Sequence, residues 1–191
     1  MAPGALFQIR IDCEWSDVSS NCGKFVRYVA PKALPRLFPY PGADGTEHRT
    51  RPAYYYRQSS VIPYRILDGQ VEVLIVSSSK KKHWVVPKGI HDPGKSAQAS
   101  AACEAREEAG ALGQVGETDI GVYSYTKWDA TCTVTVFPMK VTQLLPEDQW
   151  EERHRGRRWV SPKAAAKLVR NAELAKIICR LPAILATHEQ K

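Results

Sequence analysis

From Gln58 onward the chain falls into short apolar blocks separated by clear turn signals. SSVIPYRI and VEVLIVS are rich in β-branched residues, and the Asp68-Gly69 pair between them favours the left-handed turn of a two-residue hairpin. HWVVP predicts a third short strand. A helix is expected from about Ser96 to Ala109, with Ser96 as N-cap and Gly110 as the stop. GVYSYTKW and TCTVTVFPMKVTQ predict two long strands that turn near Asp129-Ala130. A charged loop, PEDQWEERHRGR, leads into the short strand RRWVS, and PKAAAKLV and NAELAKIICRLPAILA predict closing helices. Strands around one internal helix, with helices at the end, imply a mixed α+β or α/β sandwich.

Residues 1–56 follow a different pattern. Six of the thirteen prolines fall there, with turn-forming pieces such as PYPGADG, and only FQIRI and KFVRYV read as strands. The expected organisation is therefore an extension over 1–56, partly disordered or packed on the domain, and a folded domain over 57–191. The 191-residue chain is 43% apolar, enough for a core. It has no run of eighteen apolar residues and no secretory leader pattern, so neither a membrane span nor export is expected. Five widely spaced cysteines without a C-x-x-C pair imply reduced thiols in a cytoplasmic setting rather than a disulfide framework or zinc site. The net charge of +7 suits solubility and equally suits an acidic ligand, while no nucleic-acid-binding signature is present.

The chemistry concentrates in residues 89–111. GIHDPGKS, residues 89–96, satisfies G-x-x-x-x-G-K-[ST], the loop that cradles nucleotide phosphates in P-loop NTPases. Against that reading, no later apolar strand ends in an Asp to share Mg²⁺, and the downstream strands read as antiparallel. Pro93 also stands where backbone N–H groups should converge. The helix that follows is more informative. Glu104, Glu107 and Glu108 lie at i, i+3 and i+4 on one face, and Ala101, Ala102, Ala105 and Ala109 form a small-residue stripe that allows close approach to a sheet. Clustered carboxylates call for a positive partner, and a hard divalent cation shared with substrate phosphate fits them. A solvated acidic face softened by Arg106 is the bland alternative.

With the loop before it, this segment resembles the Nudix box, G-x5-E-x7-R-E-U-x-E-E-x-G-U with U aliphatic, entered at Gly89 and continued by Glu104, Ala105, Glu107, Glu108, Gly110 and Ala111. Likeness extends over roughly residues 58–185. It implies an α/β/α sandwich with a mixed sheet, in which a loop-helix-loop motif carries catalysis. Lys95 and Cys103 stand where the pattern has Glu and Arg. Their joint change avoids stranding a single charge, yet leaves open a catalytically weak, binding-only member.

The resemblance implies a hydrolase that uses Mg²⁺, with Mn²⁺ as an alternative, held by Glu104, Glu107 and Glu108. Metal-assisted water attack would cleave a phosphoanhydride, with Glu107 as the proton acceptor. Gly89 lets backbone approach the anion, and Lys88, Arg65, Lys82, His83 and Arg157 are candidate substrate cations. The segment after the box is most similar to the diphosphoinositol polyphosphate and diadenosine polyphosphate hydrolase branch. The expected partner is thus a polyphosphorylated small molecule, and Tyr123, Tyr125 or Trp128 would offer an adenine a stacking surface.

Overall fold

The computed structural model describes residues 5–188; the outer ends of the two expected segments, residues 1–4 and 189–191, lie outside the described residues. The chain divides after Phe38 into two compact units. In the first, β1 (Leu6–Ile11) and β2 (Gly23–Val29) pair antiparallel from Leu6↔Val29 to Ile11↔Gly23, with a register shift at Gln8/Ile9. These strands are FQIRI and KFVRYV with short additions at their ends.

The second unit opens with a small hairpin, β3 (Phe38–Gly42) and β4 (Gly45–Arg49), built from the segment expected to be an irregular turn. The Arg49 guanidinium lies 3.3 Å from the Tyr40 ring centroid and 4.8 Å from that of Tyr56, which ties this hairpin to the start of the main sheet. Residues 39–56 therefore pack with the main sheet.

That sheet contains β5 (Arg57–Leu67), β6 (Gln70–Ser77), β7 (Trp84–Val85), β8 (Lys88–Ile90), β9 (Ala111–Val115), β10 (Gly121–Lys127), β11 (Ala130–Leu144) and β12 (Arg157–Val160). Its main path runs β10-β11-β5-β6-β12, with β7, β8 and β9 attached to β6, β5 and β11. Only β11 and β5 run parallel among the named pairs, so the sheet is mixed. Two strands, β8 and β9, were not expected. They are short and lack a period-two apolar pattern long enough to read. The second hairpin also turns one residue early, at Trp128–Asp129, both in the left-handed region with φ of 55° and 58°. Lys127 consequently pairs with Ala130.

Alternation along the strands buries both faces of the sheet. Ile62, Val73, Ile75, Val134 and Val136 face α2 (Pro162–Leu168) and α3 (Ala172–His188), meeting Ala165, Leu174, Ile177, Ile178 and Leu181. Their neighbours Val61, Leu74, Val76, Phe137 and Met139 point the other way, toward α1 (Ala97–Ala109). The result is an α/β/α sandwich. Helix α1 starts where Ser96 Oγ accepts from the Ala99 N–H at 3.1 Å and stops at Gly110, whose φ is 57°. Of the alanine stripe, Ala101, Ala105 and Ala109 are fully buried, whereas Ala102 lies at the margin. Among the described residues no helix is long and apolar enough to cross a membrane.

Candidate active site

Strand β8 and helix α1 place backbone and carboxylates side by side. The Lys88 N–H donates to Glu108 Oε2 at 3.1 Å. Gly89 lies so close to the helix that a Cβ there would sit 1.7 Å from Glu104 Oε1, so only glycine leaves room for this carboxylate. Glu104 and Glu108 both line a cleft of about 680 Å³, together with Lys88, Gly89, Asp92 and Arg155. Glu107, one turn from Glu104, lies outside the cleft lining. Burial first, then Glu151, Asp92 and Glu152, raise its pKa above the ordinary carboxylate value.

The cleft electrostatics follow from burial. Desolvation, reinforced by Glu108 and Glu107, pushes Glu104 up to about 7. Glu108 is also raised by desolvation, opposed by Arg155 and by the Lys88 backbone and side chain. Lys88 is lowered by desolvation despite the facing Glu108 and Glu104. Its Nζ donates to Tyr125 Oη at 3.1 Å and to Gln58 Oε1 at 3.5 Å, and Tyr125 O–H donates to Gln58 Oε1 at 2.7 Å. A half-buried ammonium is thus fixed in the cleft by two polar side chains from neighbouring strands.

The sequence marks Arg155 only as one member of the basic cluster Arg153-His154-Arg155. Arg155 is 9% exposed, and its Nη2 donates to Glu108 Oε1 at 2.7 Å. Its Nη1 donates to the Ser77 carbonyl at 3.1 Å and its Nε to Glu152. The charge run RHRGRR signalled cations there, but not which of them turns inward.

The other expected ligand-binding cations are distributed unevenly. His83 lines the cleft with Nδ1 buried and unpartnered, and its pKa is lowered by desolvation and then by Arg170 and Lys88. Lys82 borders an adjacent shallow recess with Lys81 and Trp84. Arg65 is turned to Glu72 at 2.7 Å and lies over Trp159, away from the cleft lining. Arg157 donates to the carbonyls of Ala109 at 2.7 Å and Leu145 at 2.5 Å, closing the C-terminal end of α1. Lys127, Arg170 and Asn171, none of them anticipated, join the lining with Trp84, Tyr123, Tyr125 and Trp128.

The two box substitutions meet each other. Lys95 Nζ is 2.8 Å from Asp92 and 3.5 Å from Cys103 Sγ, outside the cleft lining. The P-loop reading fails on this geometry: its lysine is tied to a neighbouring carboxylate, and β8 runs antiparallel to β5.

The structure is a mixed-sheet sandwich with a carboxylate-bearing helix beside a cation-lined cleft. Residues 56–181 match the NUDIX domain family, and the chain belongs to that family. It is similar to Arabidopsis thaliana Nudix hydrolase 12, mitochondrial, at 33% identity over 133 residues, covering 59% of this chain and 65% of that protein. Mouse diphosphoinositol polyphosphate phosphohydrolase 3-alpha is 35% identical over 102 residues, covering 51% of this chain and 60% of the relative. The chain thus spans about two thirds or less of the length of these relatives. Among solved structures, a Caenorhabditis elegans Ap4A hydrolase binary complex superposes with a TM-score of 0.58 at 26% identity, covering 69% of this chain and 98% of that one.

The family implies a divalent cation, and the donor set fits one. Desolvation, and after it repulsion from Glu108 and Glu107, raises the Glu104 pKa, and oxygen ligands suit Mg²⁺. In the arrangement seen, however, no three His, Cys, Asp or Glu side chains among the described residues converge into a ready-made ion cage.

Proposed function

We propose that this chain is a Mg²⁺-dependent hydrolase that cleaves a phosphoanhydride in a nucleoside- or inositol-diphosphate-linked substrate, with diphosphoinositol and diadenosine polyphosphates favoured. The observation that carries this reading is the pairing of Glu104 and Glu108 with Lys88 in one cleft. Glu104 and Glu108 would hold the cation, with Glu107 completing the set; the cation would neutralise phosphoryl charge and acidify water. A carboxylate of this set not fully committed to the cation would take the proton of the attacking water. Lys88 Nζ, held by Tyr125 and Gln58, would orient one phosphate oxygen. His83, Lys127 and Arg170 line the same cleft and would take the remaining phosphates. The aromatic wall of Trp84, Tyr125 and Trp128 supports a planar group at the far end of the substrate.

The experiment is mass-spectrometric product analysis with Mg²⁺ on a diphosphoinositol polyphosphate, a diadenosine polyphosphate, ADP-ribose and 8-oxo-dGTP. Cleavage of either of the first two supports the proposal. Preferred cleavage of ADP-ribose or 8-oxo-dGTP corrects the substrate, and binding of the whole panel without turnover points to a non-cleaving module.

A further inference from the structure

Glu108 is spoken for on both oxygens: Oε1 accepts from Arg155 at 2.7 Å and Oε2 from the Lys88 N–H at 3.1 Å. The ion pair is enclosed, with side-chain exposures of 9% for Arg155 and 13% for Glu108. Sequence spacing puts three glutamates on one helix face, yet no ion cage exists among the described residues. A guanidinium thus already neutralises the carboxylate that the cation would need. A divalent cation entering beside Arg155 and the Lys88 ammonium would add positive charge to a cleft already lined by Lys88, Lys127, Arg155 and Arg170.

We propose that Arg155 is an exchangeable counter-ion, held on Glu108 until a divalent cation takes that carboxylate, and then transferred to a phosphate oxygen of the incoming substrate. This rests on the reading of Glu104 and Glu108 as cation ligands. Arg155 is built for such a transfer. Its Nε stays on Glu152 and its Nη1 on the Ser77 carbonyl, so release of Nη2 pivots the group without expelling it. Arg155 also lines the cleft, so the freed N–H bonds remain within it. The Glu152 N–H donates to the Glu107 carbonyl at 3.2 Å, fastening the loop that carries Arg155 to the helix that carries the carboxylates. A phosphate oxygen can accept the charge-assisted hydrogen bond that Nη2 gives up at Glu108. Cation and polyphosphate therefore bind cooperatively: each removes the electrostatic obstacle to the other, and the coupling is reciprocal.

Isothermal titration calorimetry tests this with Mg²⁺ alone, a methylene-bridged diadenosine polyphosphate alone, and each in the presence of the other. In the wild-type protein, Mg²⁺ alone binds weakly and the analogue tightens it by about tenfold or more. Arg155→Met binds Mg²⁺ alone more tightly, and the coupling factor falls toward one. Arg155→Lys keeps the charge on Glu108 but cannot span Glu152, Ser77 and Glu108 together; it leaves Mg²⁺ alone weak and still loses most of the coupling. Circular dichroism melts check that each variant is folded, and Arg155→Lys carries the test if the methionine variant leaves Glu108 too poorly compensated to fold. Wild-type coupling retained in a folded variant overturns the counter-ion role and leaves the hydrolase reading intact. Wild-type protein that takes up no Mg²⁺ with or without the analogue overturns the cation reading itself.

Discussion

Helix α1 presents two faces that answer to opposite physics. On one, Ala101, Ala105 and Ala109 are wholly buried against Val61, Phe137, Met139, Leu74 and Val76, and their small side chains let helix and sheet approach closely. On the other, Glu104, Glu107 and Glu108 hold like charges within one turn, two of them in a cleft that strips away water. The first face contributes to stability through dry packing. The second lowers stability at neutral pH, since burial disfavours its charged carboxylates. Spacing alone does not distinguish them, because i, i+4, i+8 for the alanines and i, i+3, i+4 for the glutamates each describe one face of a helix. What separates them is the partner each meets: apolar side chains for the alanines, and, for Glu108, the Lys88 N–H and the Arg155 guanidinium.

Substitutions that act on one face alone break or sharpen this contrast, and the largest effect belongs to the acidic side. Gly89→Ala would force Glu104 out of its position, since the new methyl would overlap Oε1. Turnover should fall by about 100-fold through misplacement of a reacting group, with little change in melting temperature because only a side-chain end must move. Steady-state kinetics beside a thermal melt would show the split; a large loss of stability with intact turnover would place the importance of Gly89 elsewhere.

The alanine face should respond in the opposite sense. Ala105→Leu inserts extra methylenes into a sealed contact and is expected to cost about 1–3 kcal/mol by overpacking. Denaturant titration measures it. Mg²⁺ affinity of the protein that remains folded should stay close to wild type.

Arg157 belongs with the stability side although it reads as a ligand-binding cation. Its guanidinium donates to the carbonyls of Ala109, Gly110 and Leu145. Arg157→Met should cost roughly 1–2 kcal/mol, because it strands carbonyls at the helix end, and should leave KM nearly unchanged. A raised KM with unaltered stability would return Arg157 to the substrate site.

The last effect is electrostatic. Glu104 titrates near 7 in the fold against an ordinary value of 4.5, so between those limits the native state binds more protons than the unfolded chain. Stability in chelator should therefore be highest below about pH 4.5, as far as this group is concerned, and should fall as pH rises through 7. Glu104→Gln should flatten that slope and raise the melting temperature at pH 8, which melts across a pH series would record. An unchanged slope would assign the pH dependence to other groups.

Much of this was legible in the sequence, and the exceptions share a cause. Helix α1 was readable because its cap, its stop and its alanine stripe are local signals. The β5–β6 hairpin was readable because Asp68-Gly69 suits left-handed geometry, observed with φ of 49° and 74°. Strands β8 and β9 were not, since three and five residues pair where tertiary structure puts them. Within the candidate site, Glu104, Glu108, Lys88, Gly89 and His83 line one cleft, whereas Glu107 and Lys82 lie outside its lining. Arg65 and Arg157 turn to Glu72 and to helix carbonyls, while Arg155, two residues from Arg157, points inward. A run of arginines carries no local mark of direction. Its destinations are set by contacts 47 and 48 residues away in the chain.

The measurement that bears most directly on the central claim is turnover of a diphosphoinositol polyphosphate and a diadenosine polyphosphate across a Mg²⁺ titration, comparing wild type with Glu108→Gln. Mass spectrometry would read the products. The account predicts Mg²⁺-dependent phosphoanhydride cleavage that falls by on the order of 1,000-fold in Glu108→Gln while the variant remains folded. Cleavage that persists in Glu108→Gln with an unshifted Mg²⁺ dependence would contradict it.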